Sequence, residues 1–158
     1  MNRLYLFVNF MHKYISMHTV SSLLSRKNRT SVTVSPDAPV LEALKLMAEK
    51  NIGSVIVMQD DRYLGIVTER DYSRKIALKG KNSASTKVSE IMSSDLPSVN
   101  PADSIEHCME LMTTKNIRYM PVFENNELAG IVSMSDVVKE TILAQKETID
   151  QLQNYIQS

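Results

Sequence analysis

The 158-residue sequence predicts an α+β fold: two tandem β-α-β-β-α repeats forming an α/β sandwich-like module about a pseudo-twofold axis. Three observations carry this expectation. The chain matches itself without a gap when Val32–Ala77 is laid on Pro97–Ile142, with 12 identities in 46 pairs. Both copies pass through the same succession of strand-like and helix-like periodicity. And both end a strand in the same motif, "GIVTERD" at Gly65–Asp71 and "GIVSMSD" at Gly130–Asp136.

Each copy opens with an extended segment that stops at a proline, "SVTVSP" before Pro36 and "LPSVNP" before Pro101, because a proline nitrogen cannot extend a strand ladder. Helical spacing follows, with Val40, Ala43, Leu44 and Met47 in one copy and Ile105, Cys108, Met109 and Met112 in the other. Second strands read "SVIVMQ" and "YMPVFE". The polar pieces "DDRY" and "NNEL" turn them back into "LGIV" and "AGIV" as hairpins. A closing helix comes after each aspartate, "YSRKIAL" in one copy and "VVKETILAQKETIDQL" in the other. A shorter echo, "TVSSLLS" at Thr19–Ser25 and "KVSEIMS" at Lys87–Ser93, leads into the two copies. One copy alone offers too little apolar surface to close a core. The expected remedy is pairing of the halves, with their first strands exchanged beside the other sheet. Two copies fit a closed pair rather than a solenoid. The expected boundaries are an arm over 1–18, repeats over 19–80 and 81–143, and a helical extension over 144–158.

Composition excludes several classes. Basic and acidic residues balance at 18 each, which argues against a phosphate-neutralising nucleic-acid binder. A single cysteine, Cys108, excludes an intrachain disulfide framework and a multi-cysteine zinc site, and its helical setting predicts a core residue. His12, His18 and His107 follow no metal-ligand spacing, so no metal is expected. No apolar run reaches the length that spans a bilayer. The segment "MNRLYLFVNFMHKYISM" lacks the long apolar region and small-residue cleavage site of a secretory signal, so a cytoplasmic setting is expected. No phosphate-cradling loop, nucleophile elbow or carboxylate pair with a neighbouring base is present. With only Gly53 and Gly80 besides the motif glycines, a Gly-rich dinucleotide fingerprint cannot be built. The sequence therefore predicts no enzyme.

The two G-h-x-x-[T/S]-x-x-D motifs in register, the twin "V-S-x-[LI]-[LM]-S" leaders and "NIRYMPV" at Asn116–Val122 resemble a CBS-domain pair, or Bateman module, of the small stand-alone bacterial type. The resemblance spans about Thr19 to Leu143. It implies a regulatory, energy-sensing module that binds an adenosine nucleotide of the AMP, ATP or NAD type in clefts between the repeats. The second copy departs from the first in having Met134 and Ser135 where the first has Glu69 and Arg70. Tyr119 stands where this group often has histidine.

The motif residues have chemistry suited to that ligand. A glycine at Gly65 or Gly130 lets a hairpin or ligand approach closely. The hydroxyls of Thr68 and Ser133 can cap the following helix or donate to a phosphate, and a helix's first turn favours anions. Asp71 and Asp136 can accept from the two hydroxyls of a ribose. On the residues alone, helix capping and ribose binding are both open for these aspartates. The resemblance implies sites shared between halves: Thr68, Arg70 and Asp71 with Pro97, Arg118, Tyr119 and Pro121, and Ser133, Ser135 and Asp136 with Ser31, Val32, Gly53 and Ser54. Arg118 is the expected phosphate partner, since a guanidinium makes charge-assisted bonds, and Arg70 makes the first site the more cationic.

The rival reading is a ligand-free dimerisation or protein-interaction scaffold. Ile142, Ile149, Leu152 and Ile156 form a coiled-coil-like stripe interrupted at Gln145. Under either reading a homodimer is expected, and the protein it regulates is not specified by the sequence.

Overall fold

The computed structural model describes residues 8–9, 18–27 and 31–158. The arm expected over 1–18, with the apolar Leu4–Phe10 stretch and His12, lies almost wholly outside them. The described elements, in chain order, are α1 (Val20–Arg26), β1 (Thr33–Val34), α2 (Val40–Lys50), β2 (Ser54–Gln59), β3 (Arg62–Thr68) and α3 (Glu69–Lys75). Short 3-10 turns at Ala77–Lys79 and Val88–Glu90 follow, then α4 (Ile105–Thr114), β4 (Tyr119–Glu124), β5 (Glu127–Ser133) and α5 (Met134–Gln157). Among the described residues no helix is long and apolar enough to cross a membrane.

Two compact units result, and they do not follow the order of the repeats. A middle unit comprises Arg29–Leu96, and a split unit joins the residues up to Asn28 to Pro97–Ser158. In the middle unit β1 runs parallel to β2 (Thr33 beside Ile56) and β2 antiparallel to β3. In the split unit β4 and β5 form the hairpin, and the expected first strand is reduced to a parallel bridge of Val99 with Val122. The first strands are therefore not exchanged, which corrects the sequence expectation: each lies beside the second strand of its own repeat.

The leaders are exchanged instead. The leader of repeat two packs in the middle unit, and the leader of repeat one, α1, packs in the split unit. Both dock through the same backbone bonds. Val88 N donates to Ala38 O and Ser89 N to Pro36 O, each at 2.9 Å. Val20 N donates to Asp103 O and Ser21 N to Pro101 O, again at 2.9 Å. Each docked leader supplies apolar residues that a lone repeat lacks. Val88 and Ile91 join Val34, Val40, Ala43, Met47, Val55, Val57, Val67 and Ile76 in one core. Val20 and Leu23 join Val99, Ile105, Cys108, Met112, Met120, Val122, Val132 and Val137 in the other. Burying one such side chain is worth about 1.5–3 kcal/mol.

Local chemistry explains the hairpins and helix ends. Asp60 and Asp61, and likewise Asn125 and Asn126, have positive φ, the left-handed pair that a two-residue hairpin needs. Asn51 and Asn116, identical in the repeat, also sit in the left-handed region, at φ 51 and 50, just past α2 and α4.

The repeated glycines answer to the exchanged leaders. A Cβ on Gly65 would lie 2.6 Å from Ser93 O, because the leader's end bonds the strand there through Ile66 N to Ser93 O (3.0 Å) and Ser93 N to Ile66 O (2.9 Å). A Cβ on Gly130 would meet the Leu24 side chain of α1 at 3.0 Å.

Candidate functional site

The two G-I-V-[T/S]-x-x-D motifs place a strand end, a hydroxyl and a carboxylate at the start of a helix in each unit. In the middle unit Thr68 caps α3, its Oγ1 accepting from Asp71 N at 3.1 Å, while Asp71 Oδ2 accepts from Thr68 N at 3.0 Å. Helix α3 starts at Glu69, before the aspartate, because this reciprocal capping box satisfies the first-turn N–H groups. Asp71 Oδ2 also accepts from Thr68 Oγ1 at 2.9 Å. Its Oδ1 forms an ion pair with Lys75 Nζ at 2.9 Å and accepts from Ser93 Oγ at 3.3 Å. With three hydrogen bonds and an ion pair, both oxygens of this buried carboxylate are engaged by protein groups.

The split unit repeats the box with a different outcome. Ser133 caps α5, its Oγ accepting from Asp136 N at 3.1 Å, and Asp136 Oδ2 accepts from Ser133 N at 2.9 Å. Lys27 Nζ, from the end of the exchanged leader, reaches Asp136 Oδ2 and Ile131 O, both at 2.7 Å. Among the described residues nothing donates to Asp136 Oδ1. Burial raises the Asp136 carboxyl, but the Lys27 and Ser133 hydrogen bonds outweigh it and hold the group below its ordinary range. Among the described residues, Asp136 is thus the motif aspartate with accepting capacity to spare.

The remaining predicted residues fall beside these boxes in their own units. Glu69 N donates to Gly53 O at 3.1 Å, and Ser54 stands opposite Thr68 in the β2–β3 register. The same relation recurs in the split unit, where Met134 N donates to Arg118 O at 2.8 Å and Tyr119 stands opposite Ser133. Arg118 and Ser135 are exposed, and so is Ser31. Arg70 is half-buried with a polar partner. Val32 packs against the middle unit's core and its carbonyl accepts from Ile56 N at 3.0 Å. Pro97 is half-buried, and Pro121 is buried with its carbonyl accepting from Val99 N at 3.1 Å. The groups that the sequence pairs across the repeats belong to different units.

Sequence reasoning missed Lys27, Lys75 and Ser93. Lys75 was findable as the i+4 partner of Asp71. Lys27 was not, since its partner lies 109 positions away. Cys108 is a core residue whose thiol burial pushes up to about 11, with Asp103 adding to the shift. Among the described residues no three His, Cys, Asp or Glu side chains cluster as a metal site would require.

A repeated β-α-β-β-α unit with a hydroxyl–aspartate box at each strand-to-helix junction defines a tandem-repeat α+β domain pair. The sequence matches the CBS domain family over residues 20–78 and again over 88–142, and the chain belongs to that family. The mitochondrial CBS domain-containing protein CBSX3 of Arabidopsis thaliana is 34% identical over 148 residues, covering 88% of this chain and 72% of its own. A solved putative signal-transduction protein with CBS domains from Burkholderia ambifaria shares 43% identity with a TM-score of 0.76, over 79% of this chain and 94% of its own. The CBS domain pair of protein MJ0100, solved in complex with 5′-methylthioadenosine and S-adenosyl-L-methionine, shares the fold at a TM-score of 0.66 and 22% identity, over 77% of this chain and 93% of its own.

Proposed function

We propose that this chain is a non-catalytic regulatory CBS pair that binds an adenosine nucleotide of the AMP, ATP or NAD type, with Asp136 as its better ribose acceptor. The observation that carries the reading is the contrast between the aspartates. Asp71 has three protein hydrogen bonds and an ion pair, whereas among the described residues nothing donates to Asp136 Oδ1 at the start of a 24-residue helix, where first-turn N–H groups favour anions. Adenosine-type ligands in a CBS pair of the same fold support the ligand class. Ligand contacts by Thr68, Arg70, Asp71, Pro97, Arg118, Tyr119 and Pro121, and by Ser133, Ser135, Asp136, Ser31, Val32, Gly53 and Ser54, belong to this proposal. So do a homodimeric working state and a cytoplasmic setting.

Calorimetric titration of purified protein with AMP, ATP, NAD and adenosine tests it. Saturable binding of at least one, weakened in Asp136→Ala, is the expected result. No heat and no thermal shift with any adenine compound at millimolar concentration would leave the second reading, a ligand-free scaffold. The engagement of both Asp71 oxygens favours that reading for the first motif, where a cap and an ion pair account for the carboxylate.

A further inference from the structure

We propose that helix α5 forms a parallel, in-register two-stranded coiled coil with α5 of a second copy of this chain. This rests on the homodimer proposed above and is independent of nucleotide binding. The helix has two apolar faces. One, with Val137 and Ala144, is buried in its own unit, and Glu140 is buried beside them. The other is exposed: Val138, Ile142, Ile149, Leu152 and Ile156 are open by 45, 49, 53, 52 and 81%. With Gln145 these residues run in steps of four, three, four, three and four, the alternation that keeps a stripe facing a partner helix. From Val138 to Ile156 the stripe is about 27 Å long at 1.5 Å per residue.

The identities of the stripe specify its occupant. Ile142, Ile149 and Ile156 take one seam position of the heptad, and Val138, Gln145 and Leu152 take the other. β-Branched residues at every place of the first, with leucine at the second as at Leu152, favour two parallel strands. A lone buried amide at Gln145 finds an amide opposite it when two copies of the helix run parallel and in register. The flanks agree. Lys139, Lys146 and Gln153 line one edge, and Thr141, Thr148 and Tyr155 the other. In a parallel pair opposite edges meet, so each lysine faces a neutral residue. An antiparallel pair brings like edges together and sets Lys146 against its counterpart, a destabilising like-charge contact. The Thr141 and Thr148 hydroxyls already donate to Val137 O and Ala144 O, at 2.8 and 2.9 Å, so these flank hydroxyl protons are satisfied as the seam closes.

Two variants of the full chain test this. Sedimentation velocity at tens of micromolar should show a wild-type dimer and, for Ile149→Lys with Leu152→Lys, association weakened by about a hundredfold or more. Circular dichroism should be little changed, because both positions are half-exposed in the single chain. Under mild oxidation Ser158→Cys should cross-link to a covalent dimer, because parallel helices bring their C-termini together, while the wild type, whose Cys108 is buried, should not. A wild-type monomer overturns both the homodimer and the coiled coil. A dimer that survives the double lysine variant overturns the coiled coil alone. Loss of the dimer in that variant with no cross-link in Ser158→Cys overturns the parallel orientation. Nucleotide titration is unaffected by any of these outcomes, so the two proposals fail separately.

Discussion

Lys27 and Asp136 form an ion pair at 2.7 Å across 109 positions of sequence. The repeat explains why the lysine comes from so far away. In the middle unit Lys75 neutralises Asp71 from one turn along the same helix. The repeat-equivalent of Lys75 is Glu140, which bonds Arg26 and lies 3.5 Å from His18 Nδ1. With a carboxylate in that place, the second aspartate takes its cation from the exchanged leader.

The depressed Asp136 group makes stability depend on pH with a fixed sign. A carboxylate held below its ordinary value of 3.8 contributes stability that is present above that value and is lost as pH falls through the folded value. Asp136→Asn should therefore be less stable than wild type near neutrality, and the difference should shrink as pH falls below about 4. Urea midpoints taken at intervals down the acid range measure this. A constant gap between the two proteins at every pH would refute the linkage.

The two aspartates should respond differently to truncation. Asp136→Ala should weaken nucleotide binding by about ten- to hundredfold, the loss of a charge-assisted bond of about 1.5–3 kcal/mol. Asp71→Ala should act chiefly on stability, by about 1–3 kcal/mol, since it removes a cap, takes the counter-ion from Lys75 and leaves Ser93 without its acceptor. Thermal melts beside calorimetric titrations separate the effects. Equal affinity losses in both variants would show that Asp71 releases its protein donors to bind ligand.

Arg118→Ala tests the phosphate role. The exposed guanidinium should matter for AMP and not for adenosine, so the variant should lose affinity for AMP selectively. Parallel losses for both ligands would exclude the assignment.

Gly65→Ala and Gly130→Ala should part company although the motif is the same. The first sets a methyl group 2.6 Å from a backbone carbonyl that is fixed by two strand-type bonds, and should cost about 1–3 kcal/mol or more. The second meets the end of the Leu24 side chain at 3.0 Å, which can turn aside, so the cost should stay below about 1 kcal/mol. Denaturant midpoints decide it, and a neutral Gly65→Ala would mean the leader is not held as described.

What the sequence made legible was whatever repeats locally. The short apolar run Val55–Val57, the helical spacing of Val40, Ala43 and Met47, and the turn residues at Asp60 and Asn125 each specify an element within a few residues. The hydroxyl–aspartate box was legible too, because three residues separate cap and acceptor. The docking of Val88 and Ile91 against repeat one and of Val20 and Leu23 against repeat two was not. The twin leaders announce that they are equivalent, but apolar spacing within a segment does not say which core it enters. The same limit hid the occupancy of the aspartates. Ser93 and Lys27 arrive from leaders, and no spacing rule connects them to Asp71 or Asp136.

The exchange also sets an order of events during synthesis. The middle unit is contiguous, so all of it exists once Leu96 has been made. The split unit is not: α1 is translated early, yet Pro101 and Asp103, whose carbonyls receive it, lie about 80 residues further on. At roughly 5–20 residues per second, the leader spends several seconds with Val20 and Leu23 uncovered while the middle unit is being completed. The earliest helix of the repeats is thus among the last to find its place, and the nascent chain carries an unpaired apolar segment until its second half arrives.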